Sequence, residues 1–324
     1  MTQTRTRDPS AESLRVLSTF PDPLLDRLRD AHSEIEFVSI PGKGRLPDEI
    51  RGDVLLIPPW DSGNLAHVLE RGIRWIHTIG TGIERMPMDL VGDRILTCSR
   101  GASGIPIAEW AFAVMLAFEK KLPESWLTEA PVSWHEEGNL GGLYGRTLGL
   151  VGLGGIGQRA ARLGMAFGMR VRALRRSSAP SPIEGVETVS HLREILADSD
   201  HVLLALPLTK ESHHIIDAEA LAQIPAERGL HLINVARGGL IDQDALRPAL
   251  DDGRVACASL DVADPEPLPK THWLFTHPQV RLSPHVSWSM PGSLDLLMET
   301  FVDNLGRYLR DEPLEGLVDG ASGY

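Results

Sequence analysis

Cysteine is nearly absent from this 324-residue chain: only Cys98 and Cys257 occur. Two thiols so far apart in sequence cannot form a disulfide framework or a zinc quartet, and a reducing cytosol is the simplest compartment for them. No apolar run approaches the roughly 20 residues that a membrane helix needs. The polar opening MTQTRTRDPS has no apolar stretch for a signal peptide. A cytoplasmic protein without membrane contact is expected. Positive charge is also short, with 32 Lys and Arg against 44 Asp and Glu and a net charge of −12. So acidic a chain repels phosphate backbones, which argues against a nucleic-acid partner, although a local basic pocket could hold a small anion. No His, Cys and carboxylate cluster has metal-ligand spacing, and His213-His214 reads as a surface pair in a turn, so no metal is expected. Neither repeats of solenoid spacing nor low-complexity tracts occur.

What is present is an ordinary globular mixture, 42% hydrophobic and 23% charged, with 31 glycines and 23 prolines spread along the chain. At roughly 150 residues per domain the length predicts two domains. The dominant rhythm is a short apolar run followed by a helix-like segment. LRVLST reads as a strand and PDPLLDRLRDA as a helix with proline near its start; IEFVSI, DVLLIP and IRWIHTIG follow as strands, with DSGNLAHVLERG as a helix. Residues 105–121 (IPIAEWAFAVMLAFEKK) predict a long helix, apolar on most faces, of the kind buried against another domain or subunit. After an irregular stretch from Pro123 to Gly142, a second series runs through TLGLVG, RVRALR, HVLLALP, LHLINVA, VACASLDV and QVRLSP, and a final helix spans about Gly292 to Arg310. Alternation of this kind predicts an α/β fold of parallel sheets covered by helices.

GLGGIG (Gly152–Gly157) fits the pattern G-x-G-x-x-G between the strand TLGLV and the helix QRAARLGMAFG. In that setting Gly152 makes a tight turn, Gly154 lets the backbone approach a pyrophosphate, and Gly157 lets the helix pack close to the sheet. Gly155, Ile156 and Gly157 begin the helix, whose partial positive charge and free N–H donors suit phosphates. A glycine-rich turn with no ligand would carry the same letters. The next checkpoint is the end of the second strand, where an acid holds the ribose hydroxyls of NAD. Here Arg175 stands 18 positions after Gly157 and is followed by Arg176, Ser177 and Ser178. Two guanidinium groups and two hydroxyls suit the extra phosphate of NADP, with NAD as the alternative cofactor. A solvated basic loop is the plainer account.

Ligands of open α/β sheets sit at the carboxyl ends of the strands. Arg237 ends LHLINVAR, Asp261 ends VACASLD with Glu266 five residues later, and His285 follows VRLSP. An Arg, a carboxylate and a His delivered to one edge suit hydride transfer to a 2-oxo acid. Carbonyl reduction needs a proton for the developing alkoxide, which His can supply. A carboxylate beside a His orients the ring and favours imidazolium. An Arg pairs with the substrate carboxylate and polarises the carbonyl. Taken singly, each residue is as well explained as a structural histidine or a solvated charge; their convergence carries the reading.

The motifs GLVGLGGIG, ALPLT (Ala205–Thr209), NVARGGLID (Asn234–Asp242), LDVADPEPL (Leu260–Leu268) and SPH (Ser283–His285) resemble those of the D-isomer-specific 2-hydroxyacid dehydrogenases, and the resemblance extends from about Leu14 to Val318. It implies two Rossmann-like domains with parallel sheets: a cofactor domain at 101–288, inserted into a flavodoxin-like substrate domain made of 1–100 and 289–324. It implies His285 as general acid/base, Glu266 as its partner and Arg237 as the anchor of the substrate carboxylate. Asp261 would lie near the nicotinamide, and Pro207 and Thr209 along the cofactor. IGTGIERM (Ile79–Met86) resembles the family loop whose backbone N–H groups hold the substrate carboxylate, with Gly80 and Gly82 permitting the bend around Thr81. Family members commonly pair through the cofactor domain, so a homodimer is expected, and the 105–121 helix fits that expectation.

Four positions depart from the family pattern. Arg175 replaces the usual acid, Glu84 stands where many members have Asp, Trp110 follows Ala108-Glu109 where His is frequent, and Trp288 sits three residues after His285 where small residues are more usual. Trp288, together with Trp60 in IPPWD, would penalise bulky acids and favour glyoxylate or hydroxypyruvate. The expected activity is NADPH-dependent reduction of a small 2-oxo acid to the (R)-2-hydroxy acid. One rival is an NAD-dependent phosphoglycerate dehydrogenase-type enzyme. Another is a non-catalytic nucleotide sensor similar to the C-terminal-binding corepressors, against which the lack of long disordered flanks counts. Formate dehydrogenases carry Gln where this chain has Glu266.

Overall fold

Parallel strands need crossovers, and α-helices supply most of them in this chain, of which the computed structural model describes residues 13–130, 134, 138–176 and 181–319. Every ladder between the strands is parallel. The chain divides into two units, Met1–Ala102 with Gly292–Tyr324, and Ser103–Pro291. The first contains β1 (Arg15–Ser18), α1 (Asp22–Ala31), β2 (Glu36–Ser39), β3 (Val54–Ile57), α2 (Leu65–Leu69), β4 (Trp75–Thr78), α3 (Met88–Val91) and β5 (Ile95–Cys98). The second contains α4 (Gly104–Glu119), β6 (Thr147–Val151), α5 (Gly155–Ala166), β7 (Arg170–Leu174), β8 (Glu187–Val189), α6 (Leu192–Asp198) and β9 (His201–Leu204). It continues through α7 (Ala218–Ala222), β10 (Leu230–Asn234), α8 (Gln243–Asp251), β11 (Val255–Leu260) and β12 (Val280–Leu282). The last helix, α9 (Ser293–Leu309), returns to the first unit.

The first unit is a five-stranded sheet of order β2-β1-β3-β4-β5, the flavodoxin-like winding. Successive residues of a strand point to opposite faces, so neighbours join different cores. Leu17, Leu55, Ile76 and Leu96 share a cluster with Leu65 and Val68 of α2 and Val91 of α3. Val16, Val54, Leu56 and Trp75 share another with Leu25 and Leu28 of α1 and with Leu297, Phe301 and Leu305 of α9. The final helix therefore shares with α1 the covering of one face of a sheet built from residues nearly two hundred positions earlier or more.

His77, in the middle of β4, is fully buried. Trp75 Nε1 donates to Thr97 Oγ1 at 2.8 Å, and Thr97 Oγ1 lies 2.7 Å from His77 Nδ1. His77 Nε2 lies 3.2 Å from Ser99 Oγ, which donates to the Leu297 carbonyl at 2.9 Å. Donation running one way, from indole to helix, satisfies every link when the ring is neutral with its proton on Nε2. Burial pushes the imidazole pKa from 6.5 down to about 3. The unfolded chain therefore takes up a proton below pH 6.5 that the folded unit refuses until about pH 3, and stability falls as pH drops through that window. Between pH 7 and pH 5 this group should remove about 2 kcal/mol of stability. In urea unfolding, wild type should lose about 2 kcal/mol more than His77→Gln between those pH values, and equal losses would contradict the assignment.

The second unit is a seven-stranded sheet of order β12-β11-β10-β9-β6-β7-β8. Strand order reverses between β6 and β9, the switch point at which open α/β sheets take ligands. On one face α4 and α5 bring Ile107, Ala111, Phe112, Met115 and Ala160 to Leu148, Leu150 and Val171. On the other, α6, α7 and α8 bring Ile195, Leu221, Leu246 and Leu250 to Val202, Leu204 and Leu232. α4 buries a single stripe, leaving Trp110, Val114, Leu116 and Phe118 half-buried.

The fold is α/β with two parallel sheets, as the alternation predicts. Two strands escape that reading, β5 and β8. In β8 only Val189 is buried, so the segment has too little apolar character to stand out. The helix expected across DSGNLAHVLERG shrinks to α2, because Asp61 Oδ1 accepts the N–H groups of Gly63 at 2.7 Å and Leu65 at 3.1 Å and turns the preceding residues.

Candidate active site

Six residues singled out in the sequence follow the carboxyl ends of six parallel strands of the second unit: Gly152 after β6, Arg175 after β7, Pro207 after β9, Arg237 after β10, Asp261 after β11 and His285 after β12. One edge of the sheet therefore carries all of them.

The three glycines of the turn are required for different reasons. Gly152 has φ +106°, and a Cβ there would lie 2.4 Å from the Ala205 carbonyl oxygen on the neighbouring strand end. A Cβ at Gly157 would lie 2.2 Å from the Gly152 oxygen, so the helix could not close on the turn. Gly154 has φ −78°, and a Cβ there would meet no atom within 4 Å. Neither backbone conformation nor internal packing demands glycine at 154, which leaves space for something outside the chain. The α5 N-terminus beside it, from exposed Gly155 through Ile156 to Gly157, presents N–H groups that lack intrahelical acceptors. The residues present fit a dinucleotide pyrophosphate.

Arg175 is half-buried and Arg176 exposed. Ser177 and Ser178 lie outside the described residues. After β9, the Pro207 carbonyl accepts from Ser212 Oγ at 2.8 Å, and Thr209 Oγ1 donates to Glu211 at 2.8 Å. That hydroxyl holds the Glu211 carboxyl below the ordinary carboxylate range, with a smaller contribution from the Arg176 charge.

At the far end of the edge, His285 Nδ1 lies 2.9 Å from Glu266 Oε2, with the two side chains 44% and 41% exposed. With Nδ1 engaged, Nε2 is the ring nitrogen that Glu266 leaves available. Glu266 is steadied in turn by the Ala263 N–H, which donates to Oε1 at 3.1 Å. His285 has φ +56°, rare for a residue with a side chain. Its N–H donates to the Asp261 carbonyl at 2.8 Å, and the His285 carbonyl accepts from the Trp288 indole N–H at 3.0 Å. Asp261, placed by resemblance near the nicotinamide, is 1% exposed.

The Arg237 turn is shaped by groups the sequence reading missed. Asn234 Nδ2 donates to the Arg237 carbonyl at 2.8 Å, and Asn234 Oδ1 accepts from Ala236 at 3.0 Å. A Cβ at Gly238 would lie 2.0 Å from the carbonyl carbon of Ala263. The turn that carries Arg237 thus presses directly on the loop that carries Glu266. Gln243 joins the same loop, accepting from the Asp264 N–H at 3.3 Å and donating to its carbonyl. Asn234 and Gly238 both belong to NVARGGLID, but only the folded contact explains them.

In the first unit, Gly80 has φ +125°, and its carbonyl accepts from the Ser99 N–H at 2.9 Å. Thr81 is exposed and Gly82 half-buried, a turn able to offer backbone N–H groups to an anion. Trp60 is 43% exposed and lies against the Arg85 guanidinium, 5.8 Å from ring centroid to Cζ. Among the described residues no cluster of His, Cys, Asp and Glu could hold a metal ion, and no helix is long and apolar enough to cross a membrane.

The sequence profile described as D-isomer specific 2-hydroxyacid dehydrogenase, NAD binding domain, matches residues 112–287. A D-3-phosphoglycerate dehydrogenase of Methanocaldococcus jannaschii is 29% identical over 308 residues, covering 92% of this chain and 58% of its own. A glyoxylate reductase of Korarchaeum cryptofilum is 37% identical over 220 residues, 65% of this chain and 65% of its own. The chain thus spans less than two thirds of the length of these curated relatives. Among solved structures, a D-isomer specific 2-hydroxyacid dehydrogenase from Xanthobacter autotrophicus Py2, in complex with NADPH and MES, is similar with a TM-score of 0.82 at 26% identity, covering 97% of this chain and 100% of that one.

Proposed function

The chain belongs to the D-isomer specific 2-hydroxyacid dehydrogenase family, and on that footing we propose that it reduces a small 2-oxo acid to the (R)-2-hydroxy acid with NADPH. The observation that carries the proposal is the 2.9 Å bond between Glu266 and His285, on the sheet edge that also bears Arg237 and the glycine turn. The nicotinamide cofactor, when bound, supplies a hydride to the carbonyl carbon. The remaining work falls to the chain. Arg237 pairs its guanidinium with the substrate carboxylate and draws charge toward the carbonyl oxygen. His285 starts as imidazolium, and its Nε2 proton passes to that oxygen as negative charge develops there. Glu266, bonded to Nδ1, keeps the ring in the orientation that delivers Nε2. One hydride and one proton are added across the carbonyl, and His285 ends neutral. Trp288, 41% exposed and bonded to the His285 carbonyl, is the basis for preferring small acids.

In this reading Gly152, Gly154, Gly155, Ile156 and Gly157 hold the pyrophosphate, Pro207 and Thr209 flank the cofactor, and Arg175 with Arg176 and Ser177 takes the extra phosphate. NADPH is favoured by the guanidinium that follows β7 in place of a carboxylate, and by the NADPH bound to the Xanthobacter relative. Arg175, half-buried directly after β7, is read as the chief phosphate ligand. Arg175→Asp should shift the kcat/KM ratio of NADPH to NADH toward NADH by about 100-fold, the loss of one strong charge-assisted contact. An unchanged ratio would defeat the phosphate assignment.

The test of the activity is NADPH absorbance loss on adding glyoxylate, hydroxypyruvate, phenylpyruvate or 3-phosphohydroxypyruvate, repeated with NADH. The two small acids should turn over fastest. Binding of NADPH without turnover of any acid would make the protein a sensor and overturn the proposal. A phosphoglycerate dehydrogenase-type enzyme is the second reading, favoured by the Methanocaldococcus relative, which covers 92% of this chain. Fastest turnover of 3-phosphohydroxypyruvate with NADH would select it. A homodimer belongs to the proposal too, supported by the exposed apolar residues Trp126, Leu127, Leu140 and Tyr144 of the second unit. So does a cytoplasmic setting, with which the buried, unpaired Cys98 and Cys257 are in keeping.

A further inference from the structure

His285 occupies a left-handed backbone conformation that disfavours an L side chain, so something must hold it there. Between Ser283 and Ser287 only Pro284 lacks an N–H, and the other four residues all bond to Asp261. Ser283 Oγ donates to Asp261 Oδ1 at 2.5 Å, and the Val286 N–H to the same oxygen at 2.9 Å. The Ser287 N–H donates to Oδ2 at 2.8 Å, and the His285 N–H to the Asp261 main-chain carbonyl at 2.8 Å. Asp261 and Ser287 are 1% and 3% exposed, so water cannot replace these bonds when one is removed. Asp261 is itself fixed as the continuation of β11, its N–H donating to the Asn234 carbonyl at 2.9 Å. On the outer side, the Trp288 indole N–H closes the turn by capping the His285 carbonyl at 3.0 Å.

We propose that Asp261 is a positioning residue for His285: its buried carboxylate gathers the donors of residues 283–287 and holds the left-handed turn from which the imidazole meets Glu266, while Trp288 caps that turn from outside. The proposal rests on the reading of His285 as proton donor. Without the clamp the turn relaxes toward negative φ, the Cα–Cβ bond of His285 swings, and the 2.9 Å bond to Glu266 is lost. A carboxylate serves here because it offers acceptors on both oxygens. An amide offers one oxygen and turns its NH2 group toward a backbone N–H, which repels it.

The test compares Asp261→Asn, Ser283→Ala, Ser283→Thr and Trp288→Phe with wild type. Hydrogen exchange of the Val286 and Ser287 amides is followed without cofactor. kcat, KM and the NADPH dissociation constant are measured alongside. In Asp261→Asn both amides should lose protection and kcat should fall about 100-fold, with KM and NADPH affinity within about threefold. Ser283→Ala should lower kcat about fivefold, and Ser283→Thr, which keeps the hydroxyl, should restore it. Trp288→Phe keeps an aromatic ring, though a smaller one, and loses the indole N–H, and it too should lower kcat about fivefold. If Asp261→Asn does not fold, the Ser283 and Trp288 variants decide. Unchanged amide protection in Asp261→Asn overturns the clamp, as does unchanged kcat in both Ser283→Ala and Trp288→Phe, and so does a weakened NADPH affinity with kcat intact, the result for a residue that only contacts cofactor. Should wild type turn over no 2-oxo acid, the function assigned above falls while the exchange measurement still judges the clamp.

Discussion

His285→Gln should lower kcat for 2-oxo acid reduction by about a thousandfold while leaving NADPH affinity within about threefold. Glutamine keeps the reach and a hydrogen-bond donor but has no proton to release near neutral pH. The developing alkoxide must then draw its proton from water, which has no fixed place beside the carbonyl. Glu266→Gln should be milder, by about tenfold, because the imidazole survives and loses only the bond that orients it. Steady-state kinetics and fluorescence titration of NADPH read both effects. A loss below tenfold in His285→Gln would show that the proton comes from another group.

Two glycine substitutions should part company just as sharply. At Gly238 a Cβ would lie 2.0 Å from the Ala263 carbon, 2.1 Å from its oxygen and 2.5 Å from the Asp264 nitrogen, all backbone atoms that cannot rotate away. Gly238→Ala must push the Arg237 turn off the Glu266 loop. Overpacking of this kind costs about 1–3 kcal/mol of stability, and a shift near 1 Å costs about 100-fold in rate for each misplaced group. No measurable turnover is expected. At Gly154 the added methyl meets nothing within 4 Å, so Gly154→Ala should melt like wild type. It should nevertheless weaken NADPH binding by about tenfold or more, since the methyl occupies the space where a pyrophosphate approaches. Normal cofactor affinity in Gly154→Ala would mean that the glycine turn is not the binding site.

The strands most plainly legible in the sequence are those in which burial on both faces leaves an unbroken apolar run. TLGLV, HVLLALP and LHLINVA are of that kind, and β6, β9 and β10 have every residue buried. β8, exposed at two of its three positions, carries no such mark. The strand ends told where polar residues gather, because a parallel sheet sends all its carboxyl ends to one edge. They could not tell which polar residue touches which. Asp261 and Glu266 are both carboxylates in one motif, yet one is sealed beneath the turn and the other stands against the imidazole. That division depends on contacts with residues 19 to 26 positions away. The His77 network is less visible still, since its last link joins residues 198 positions apart.

The return of α9 to the first unit bears on how the protein is made. The first hundred residues leave the ribosome without the helix that brings Leu297, Phe301 and Leu305 to Trp75 and Val54. That face of the sheet has only α1 to cover it while the inserted unit is translated, roughly ten to forty seconds at ordinary elongation rates. The inserted unit is contiguous and can fold as it emerges, so the unit whose strands are made first is completed second, once α9 has been made.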